Sequence, residues 1–549
     1  MDWLKNELEW VTKRSDPSWL RIGVALAIIL TCFTWRPAKG GPPGLWDPVP
    51  RVFNTAQYIL DNKGFTFRMR EILKHNSIAK FNLLMTPVFL VRGQRNVQAM
   101  FTNPHKLGLE YLFENYFFPS MYAMPAADRA QFARDKSGTA RLPAPGYEHL
   151  GSEERIWYGY ESLFIEYLGR SGPRLFSITE HFLQCFADKL RRNYVAGEST
   201  TISLVSFCRN VVAESYTEAL FGPRIFELNP GLMDAFWDLD SQIPILVLSI
   251  PRWLYPKPYR MQERFFGMVR KWIEDGLGDF DWDSPAATAD WEPRFGARFN
   301  REVLSWSRKK GFSRQFAVGS QSMFVFGQNS NSIPTTMWMI LEIIRDPQLL
   351  QLVREEVATA YKANARTLDP EKLVKLPLLQ SIFTEVLRLH MNFTLSRYVN
   401  EPLVIDGVHM RAGSIVSTPM VVAHYNDDDW GSAGHPASEF WAERHIKYRD
   451  TTDESGKVAK AKVFCLASRP SSLFPFGGGH QICPGRFLAK QQIFAAVALL
   501  VTSFEVENTW WTKLDGLPSD RPAVGDERYS GFGAMPPDRD LKIRLRKIE

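Results

Sequence analysis

One segment near the C-terminus reads Phe476-Gly-Gly-Gly-His-Gln-Ile-Cys483-Pro-Gly-Arg486. It places a cysteine at the end of a glycine-rich loop, directly before a largely apolar run, 487–501, that predicts a buried helix. A thiolate at the start of a helix is stabilised by the positive end of the helix dipole and by free backbone N–H groups. Glycines let the loop lie flat against a broad group, and Phe476 can shield the sulfur from water. The segment therefore predicts a protected thiolate.

Three kinds of site use a loop of this composition. A phosphate-binding loop continues with Lys and then Ser or Thr, whereas this loop continues with a cysteine. A closed zinc site needs about four ligands, and no second pair accompanies His480 and Cys483. A thiolate that donates to haem iron needs a protected, hydrogen-bonded cradle. We therefore predict a haem site with Cys483 as the ligand of the iron.

The loop resembles the haem-binding loop of the cytochrome P450 enzymes, whose pattern is Phe-x-x-Gly-x-Arg-x-Cys-x-Gly. Phe476, Gly479, Cys483 and Gly485 match that pattern. Gln481 stands where the family has Arg or His, a side chain that helps to hold a haem propionate. The resemblance implies haem b as the cofactor, bound by five residues of this loop, with His480 replacing the missing propionate contact: Phe476, Gly479, His480, Cys483 and Gly485.

The segment 376–390 predicts an amphipathic helix on which Glu385 and Arg388 share one face. Such a pair is usually solvated, but apolar residues surround this one, and a buried pair needs further partners. The resemblance implies that an arginine of a later segment joins the pair, and Arg444 stands at the expected place, without the proline and phenylalanine of the consensus. These three residues would have a structural role. The resemblance also implies that Arg397 binds a haem propionate.

A long helix is predicted over 316–345, and its centre is unusually polar for a helix with apolar flanks. Pro334 lacks an N–H and crowds the carbonyl of Ser330, so we expect a kink that opens a gap of the size of dioxygen or water. The alternative is a kinked packing helix whose polar residues face solvent. The resemblance implies the oxygen-activation groove, with Asn331 and Ser332 as the catalytic pair in place of an acid and an alcohol. Because Asn331 is not an acid, water held by Asn331 and Ser332 would relay protons.

The run Asn331-Ser-Ile-Pro-Thr-Thr-Met-Trp338 resembles the sterol 7α-hydroxylase and prostacyclin synthase branch of the family, and fungal secondary-metabolism members look most similar overall. The resemblance implies a monooxygenase that inserts one oxygen atom of O2 into a lipophilic terpenoid, steroid or polyketide-like molecule. NADPH would supply electrons through cytochrome P450 reductase. Two alternatives stay open: a haem-thiolate isomerase or dehydratase that acts on a peroxide without O2 or reductase, and a non-enzymatic haem-binding protein. Substrate contacts are expected from the kinked helix and from four segments: 120–147, 236–248, 393–395 and 531–535.

The composition bounds the fold and the partners. With 549 residues, 45% of them hydrophobic and 13% aromatic, the chain can bury a large core and line an apolar cavity. A net charge of +6 without a dense basic run argues against nucleic acid and is compatible with docking an acidic electron-transfer partner. Five scattered cysteines fit a reducing compartment and not a disulfide framework.

The N-terminal region contains the membrane signal. From Trp19 to Trp35 the chain is mostly apolar with Arg21 as its one charge, although about 20 apolar residues are normally needed to span a bilayer. We predict a single-pass anchor here, with an interfacial or buried helix as the alternative. The resemblance implies a mainly α haem-thiolate fold with small β-sheets, in the endoplasmic reticulum membrane with the catalytic domain in the cytosol. The predicted parts are a tail (1–18), the transmembrane anchor (19–35), a Pro/Gly hinge (36–44) and the catalytic domain (45–549).

Overall fold

The computed structural model describes residues 41–362, 367–432, 434–452, 458–466 and 471–548. Helices dominate this part of the chain. Those of eight or more residues are α1 Phe53–Leu60, α2 Asn62–His75, α3 Gln94–Thr102, α4 Ala126–Arg134, α5 Ile156–Leu168, α6 Pro173–Asn193, α7 Ala213–Phe221, α8 Leu232–Asp240, α9 Lys257–Asp279, α10 Arg298–Lys309, α11 Arg314–Arg345, α12 Pro347–Ala358, α13 Pro377–His390 and α14 Arg486–Ser503. Shorter helical segments include the π-helical turns Phe113–Phe117 and Cys208–Val212 and the 3-10 turns Gly479–Gln481 and Glu527–Tyr529.

The strands form one larger sheet and several small ones. They are β1 Ile78–Leu83, β2 Thr86–Val91, β3 Leu107–Gly108, β4 Ser199–Ser203, β5 Trp291–Glu292, β6 Gly296–Ala297, β7 Met391–Val399, β8 Leu403–Ile405, β9 Val408–Met410, β10 Ile415–Pro419, β11 Ile446–Thr452, β12 Val458–Phe464, β13 Phe504–Thr512, β14 Phe532–Ala534 and β15 Asp540–Lys547. The larger sheet has the order β1-β2-β10-β7-β14, with β3 on β7, and β10 runs parallel to β2 and antiparallel to β7. A second sheet has the order β13-β15-β4. The mainly α fold with small sheets is therefore confirmed.

Helix α11 lies in the centre of the helical layer and packs against α7, α9, α13 and α14. Most of its side chains are buried from Phe316 onward, and Trp338 is among the largest buried side chains of the protein. Helix α14 is apolar on nearly every side, which is typical of a helix surrounded by protein. These two helices hold the segments that the sequence singles out, because Cys483 lies just before α14 and Asn331 lies within α11.

The prediction of a single-pass membrane protein is wrong for the part of the chain that the structure describes. None of the helices there combines the length and the apolar character needed to cross a bilayer. The longest, α11, has a polar centre and is buried within the protein. The predicted anchor, 19–35, lies outside the described residues, as do the tail and the first residues of the hinge.

Candidate functional site

Cys483 lies between the 3-10 turn Gly479–Gln481 and the start of α14. Its backbone N–H donates to the carbonyl of Phe476 over 2.9 Å, which closes the loop on itself. Burial raises the pKa of the Cys483 thiol, while hydrogen bonds from the backbone N–H groups of Gly485 and Arg486 and the charge of Arg486 oppose that increase. The surrounding protein therefore desolvates the thiol, yet the residue stays exposed. A reachable sulfur that accepts backbone N–H bonds is suited to donate to a metal as a thiolate.

The glycines of the loop lie against Phe101 of α3. A Cβ added at Gly478 would come within 2.4 Å of the Phe101 ring, and one at Gly479 within 2.6 Å of the Phe101 carbonyl oxygen. Gly479 also has a left-handed backbone with φ of +70°, which other residues rarely adopt. The sequence predicts that the glycines let the loop lie flat against a broad group. In the structure, Gly478 and Gly479 allow the loop to pack closely on α3.

We expect Gly478→Ala to destabilise the loop, because its added methyl collides with the Phe101 ring while the extended backbone at this position tolerates alanine. Overpacking of this kind costs about 1–3 kcal/mol, measurable by urea unfolding. The double variant with Phe101→Leu should recover most of the loss. Gly151→Ala is the matched control, since its Cβ would meet only an ordinary contact at 3.5 Å. Equal effects of the two single substitutions would contradict the packing argument.

Glu385, Arg388 and Arg444 come together as one buried cluster. Arg388 donates to both carboxylate oxygens of Glu385, from Nε over 2.9 Å and from Nη2 over 2.6 Å, and Arg444 Nε donates to Glu385 Oε1 over 2.8 Å. The side chains of Glu385 and Arg388 are 0% exposed. The remaining guanidinium N–H groups donate to backbone carbonyls of one segment: His424, Trp430, His435, Pro436, Ala437 and Glu439. The cluster therefore ties α13 to the segment 424–445.

Burial alone would raise the pKa of Glu385, but the hydrogen bonds from Arg388, His445 and Arg444 lower the pKa to about 2. The carboxylate is thus ionised at all ordinary pH values, and both arginines have an anionic partner. A buried ion pair needs this complete hydrogen bonding to compensate for its desolvation. The geometry suits the structural role that the sequence predicts for these three residues.

Arg397 is 2% exposed and donates from Nη1 to the Ser396 carbonyl over 3.0 Å and from Nη2 to the Gly478 carbonyl over 3.4 Å. Within the described residues it makes no ion pair. Burial lowers the pKa of Arg397 to about 10, while the charge of Glu110 opposes the decrease. A buried guanidinium that contacts the glycine loop and lacks a paired carboxylate fits a propionate group.

His480 and Gln481 both contact Thr139, which sequence reasoning missed. Gln481 Nε2 donates to Thr139 Oγ1 over 3.3 Å, His480 Nε2 lies 3.2 Å from the same oxygen, and Thr139 Oγ1 donates to Glu110 Oε1 over 2.9 Å. Burial, with a smaller contribution from Arg397, lowers the pKa of His480 to about 4. His480 is thus neutral near pH 7. No local motif in the sequence links Thr139 or Glu110 to this loop.

The polar centre of α11 faces protein and not solvent. Gln328 Nε2 donates to the Tyr216 carbonyl over 2.8 Å, and Asn329 Nδ2 donates to Thr217 Oγ1 over 3.1 Å. Gly327, one turn before Asn331, is exposed, and a Cβ added there would meet nothing within 4 Å. The solvent-facing packing helix is therefore disfavoured, and the Gly327 side of α11 has room for a flat group.

Asn331 contacts the C-terminal turn that contains β14. Its Oδ1 accepts a hydrogen bond from the Ala534 N–H over 2.9 Å, and a Cβ at Gly533 would lie 2.6 Å from that oxygen. Two more bonds hold the turn, from Asn392 Nδ2 to Ser530 Oγ over 2.8 Å and from Trp338 Nε1 to the Met535 carbonyl over 2.7 Å. Ser332 is buried, and its carbonyl accepts from Thr336 Oγ1 over 2.8 Å.

The chain is similar to known proteins of one family. The family model described as Cytochrome P450 matches residues 131–514. The chain is 36% identical to the cytochrome P450 monooxygenase calL of Penicillium decumbens, over 96% of this chain and 97% of that one. It is 26% identical to the cytochrome P450 monooxygenase fsoE of Humicola fuscoatra (92% and 87% covered) and 24% identical to cytochrome P450 7A1 of Rattus norvegicus (68% and 73%). The solved structure of retinoic acid-bound cyanobacterial CYP120A1 superposes with a TM-score of 0.61 at 18% identity, over 93% of this chain and 100% of that one, and so shares the fold.

Proposed function

Since the chain belongs to the cytochrome P450 family and is an oxidoreductase of the monooxygenase type, we propose that it inserts one oxygen atom of O2 into a lipophilic small molecule of secondary metabolism. The observation that carries the proposal is Cys483, a reachable thiol between a glycine loop and the first N–H groups of α14. The similarity to monooxygenases of Penicillium decumbens and Humicola fuscoatra supports the metabolic setting. A terpenoid, steroid or polyketide-like compound is the proposed substrate class.

The residues present fit a thiolate-ligated haem. Cys483 would hold the iron, Arg397 would pair with a propionate, and Gly327 leaves room for the macrocycle beside α11. When bound through a thiolate, haem supplies O–O cleavage and the oxidation of an unactivated C–H bond. Phe476 packs beside Phe383 of α13, with ring centroids 6.5 Å apart, and would shield the sulfur from water.

We assign Asn331 and Ser332 the task of holding water in the groove of α11. Asn331 is fixed by Ala534, and its Nδ2 group is the end of the amide left to donate. The Ser332 hydroxyl can both donate and accept. Neither side chain is an acid, so the protons must come from another group.

We propose NADPH–cytochrome P450 reductase as the electron donor, docking on the Cys483 face. Two cationic side chains of that face, Arg486 and Lys490, form hydrogen bonds within the protein and are therefore less available to bind a partner. Arg486 Nη1 donates to the Cys483 carbonyl over 2.8 Å, and Lys490 Nζ donates to Gln380 Oε1 over 2.7 Å. Burial lowers the pKa of Lys490 to about 8. Docking would therefore rely on other groups of this face more than on Lys490.

The test uses the purified holoenzyme with reductase, NADPH and a panel of terpenoid, steroid and polyketide compounds. We expect one class to perturb the optical spectrum of the haem and to be converted to a product that carries one atom from labelled O2. A haem-thiolate isomerase would instead consume a peroxide without NADPH. A protein that binds haem and carbon monoxide but oxidises no compound of the panel would contradict the proposal.

A further inference from the structure

The buried carboxyl of Asp240, the last residue of α8, lies beside the centre of α11. Asp240 is 7% exposed and lines a cavity together with Ser330, the residue before Asn331. The groups that face it are Arg209, from the π-helical turn Cys208–Val212, and Tyr529, from the 3-10 turn near the C-terminus. A buried carboxyl against the oxygen-activation helix has no evident structural role, because its charged neighbour Arg209 makes no ion pair with it among the described residues.

A small cavity separates these groups. Asp240, Ser330, Arg209 and Tyr529 line it together with apolar residues of α8, α11 and the C-terminal turn: Trp237, Ile333, Pro334, Met337, Ala534 and Pro536. The space that the centre of a water molecule can occupy in this cavity is about 10 Å³, which is enough for one water. The four polar side chains give that water enough partners for a stable position.

Ser330 connects this cavity to the groove. Its side chain lines the cavity with that of Asp240, and its carbonyl receives no helical N–H from Pro334, because proline has none. One peptide further, Asn331 bonds to Ala534, which also lines the cavity. Ser330 thus lies between the Asp240 carboxyl, on the cavity side, and the groove at Asn331 and Ser332, the next two residues of the same helix turn.

The other side of the cavity leads to the surface. The Arg209 guanidinium is half-buried and lies 5.0 Å from the centroid of the Trp237 ring. Tyr529 follows Arg528, whose side chain is 77% exposed and pairs with Asp526. Arg209 and Tyr529 thus form a polar wall of the cavity on this side.

On the basis of the proposed monooxygenase function, we propose that Asp240 supplies the protons of oxygen activation through Ser330 and one water, replacing the acid that Asn331 does not provide. Each turnover consumes O2, a C–H bond, two electrons delivered from NADPH by the flavoprotein reductase, and two protons, and yields an alcohol and one water. Asp240 gives up a proton toward the groove and regains one from solvent through the cavity water. It acts through Ser330 and does not itself touch the reacting atoms.

Burial raises the pKa of Asp240 to about 6, while the nearby Ser330 side chain and the charge of Arg209 oppose the increase. A carboxyl in this range exchanges protons readily near neutral pH. Tyr529 keeps its proton throughout, since burial and the nearby Asp240 raise the pKa of Tyr529 to about 12.

The test compares Asp240→Asn with Asp234→Asn, a control at an exposed position of the same helix. We expect Asp240→Asn to lower product formation about 100-fold, in line with the loss of a general acid, and to divert the electrons of NADPH into hydrogen peroxide. Substrate-binding spectra should not change. Adding Asn331→Asp should restore part of the product yield, because an aspartate there can still accept from Ala534 and returns an acid to the groove.

An independent measurement does not need turnover. Infrared titration of the holoenzyme should show a protonated carboxyl band with a midpoint near pH 6, absent in Asp240→Asn and retained in Asp234→Asn. Loss of substrate binding in Asp240→Asn with normal coupling, or no rescue by Asn331→Asp, would overturn the proposal. If the wild type fails to oxidise any compound, the proposed function fails and the role of Asp240 fails with it. If the wild type oxidises a compound and Asp240→Asn does so at the same rate, only the role of Asp240 fails.

Discussion

Cys483→Ser is expected to abolish oxygen insertion and the thiolate signature of the haem complex. A serine hydroxyl is not ionised near neutral pH, so the iron loses the electron donation that favours O–O cleavage. Product formation should fall to background. The carbon-monoxide difference spectrum of the reduced protein measures the ligand directly, and product analysis with reductase and NADPH measures the reaction.

Cys465→Ser is the matched control, because Cys465 is a half-buried free cysteine outside the loop. It should leave the spectrum and the turnover unchanged. A Cys483→Ser protein that retains the thiolate spectrum and forms product at the wild-type rate would remove Cys483 from the site and with it the proposed function.

The second large effect is expected from Glu385→Gln. This substitution removes the anion that pairs with Arg388 and Arg444 and leaves two buried guanidinium groups without a counter-charge. Breaking a buried pair in this way costs about 3–5 kcal/mol. Because the cluster holds the segment 424–445 against α13, we expect a lower unfolding midpoint in urea and weaker retention of haem.

The same cluster predicts a pH dependence with a definite sign. The pKa of Glu385 is lowered from 4.5 to about 2 in the folded protein, so its contribution is complete above pH 4.5 and is lost as the pH falls toward 2. The difference corresponds to about 3 kcal/mol. Urea unfolding between pH 7 and pH 3 should show a steeper acid loss in the wild type than in Glu385→Gln.

Glu371→Gln provides the comparison for both experiments. Glu371 pairs with Lys375 over 2.8 Å, and both side chains are largely exposed, so removal of this pair should cost about 0–1 kcal/mol. If Glu385→Gln is no more destabilising than Glu371→Gln, the buried cluster does not hold the fold together.

The predictable features are those with a local signature in the chain. The cysteine loop, the pair Glu385 and Arg388, and the long helix with Pro334 are each visible within about 30 residues or fewer. Arg444 needed a family pattern, since nothing near it in sequence indicates that it reaches Glu385. The buried cluster forms because the Glu385 carboxylate can accept hydrogen bonds from Arg388, on the same helix, and from Arg444, on a distant segment.

The missed features depend on contacts between segments far apart in sequence. Phe101 lies under the glycines, Thr139 contacts His480 and Gln481, and Asp240 shares a cavity with Ser330. Thr139 and Asp240 lie in segments expected to contact the substrate, but no motif indicates the contacts that they make. Lys490 is a further case in which the local sequence does not indicate the contact. Its charge suggests a solvent-facing docking residue, while the fold turns its amine toward Gln380.

The hydrogen bond from the Ala534 N–H to Asn331 Oδ1 also fixes which end of the Asn331 side-chain amide faces the C-terminal turn. Since the oxygen end accepts from the backbone of the C-terminal turn, the nitrogen end is directed away from that turn. An aspartate at the same position would offer only lone pairs there when ionised, whereas this asparagine offers N–H. An oxygen atom that gains negative charge beside α11 can therefore accept a hydrogen bond from the Asn331 Nδ2 group. This neutral donor stabilises the negative charge without placing a positive charge there.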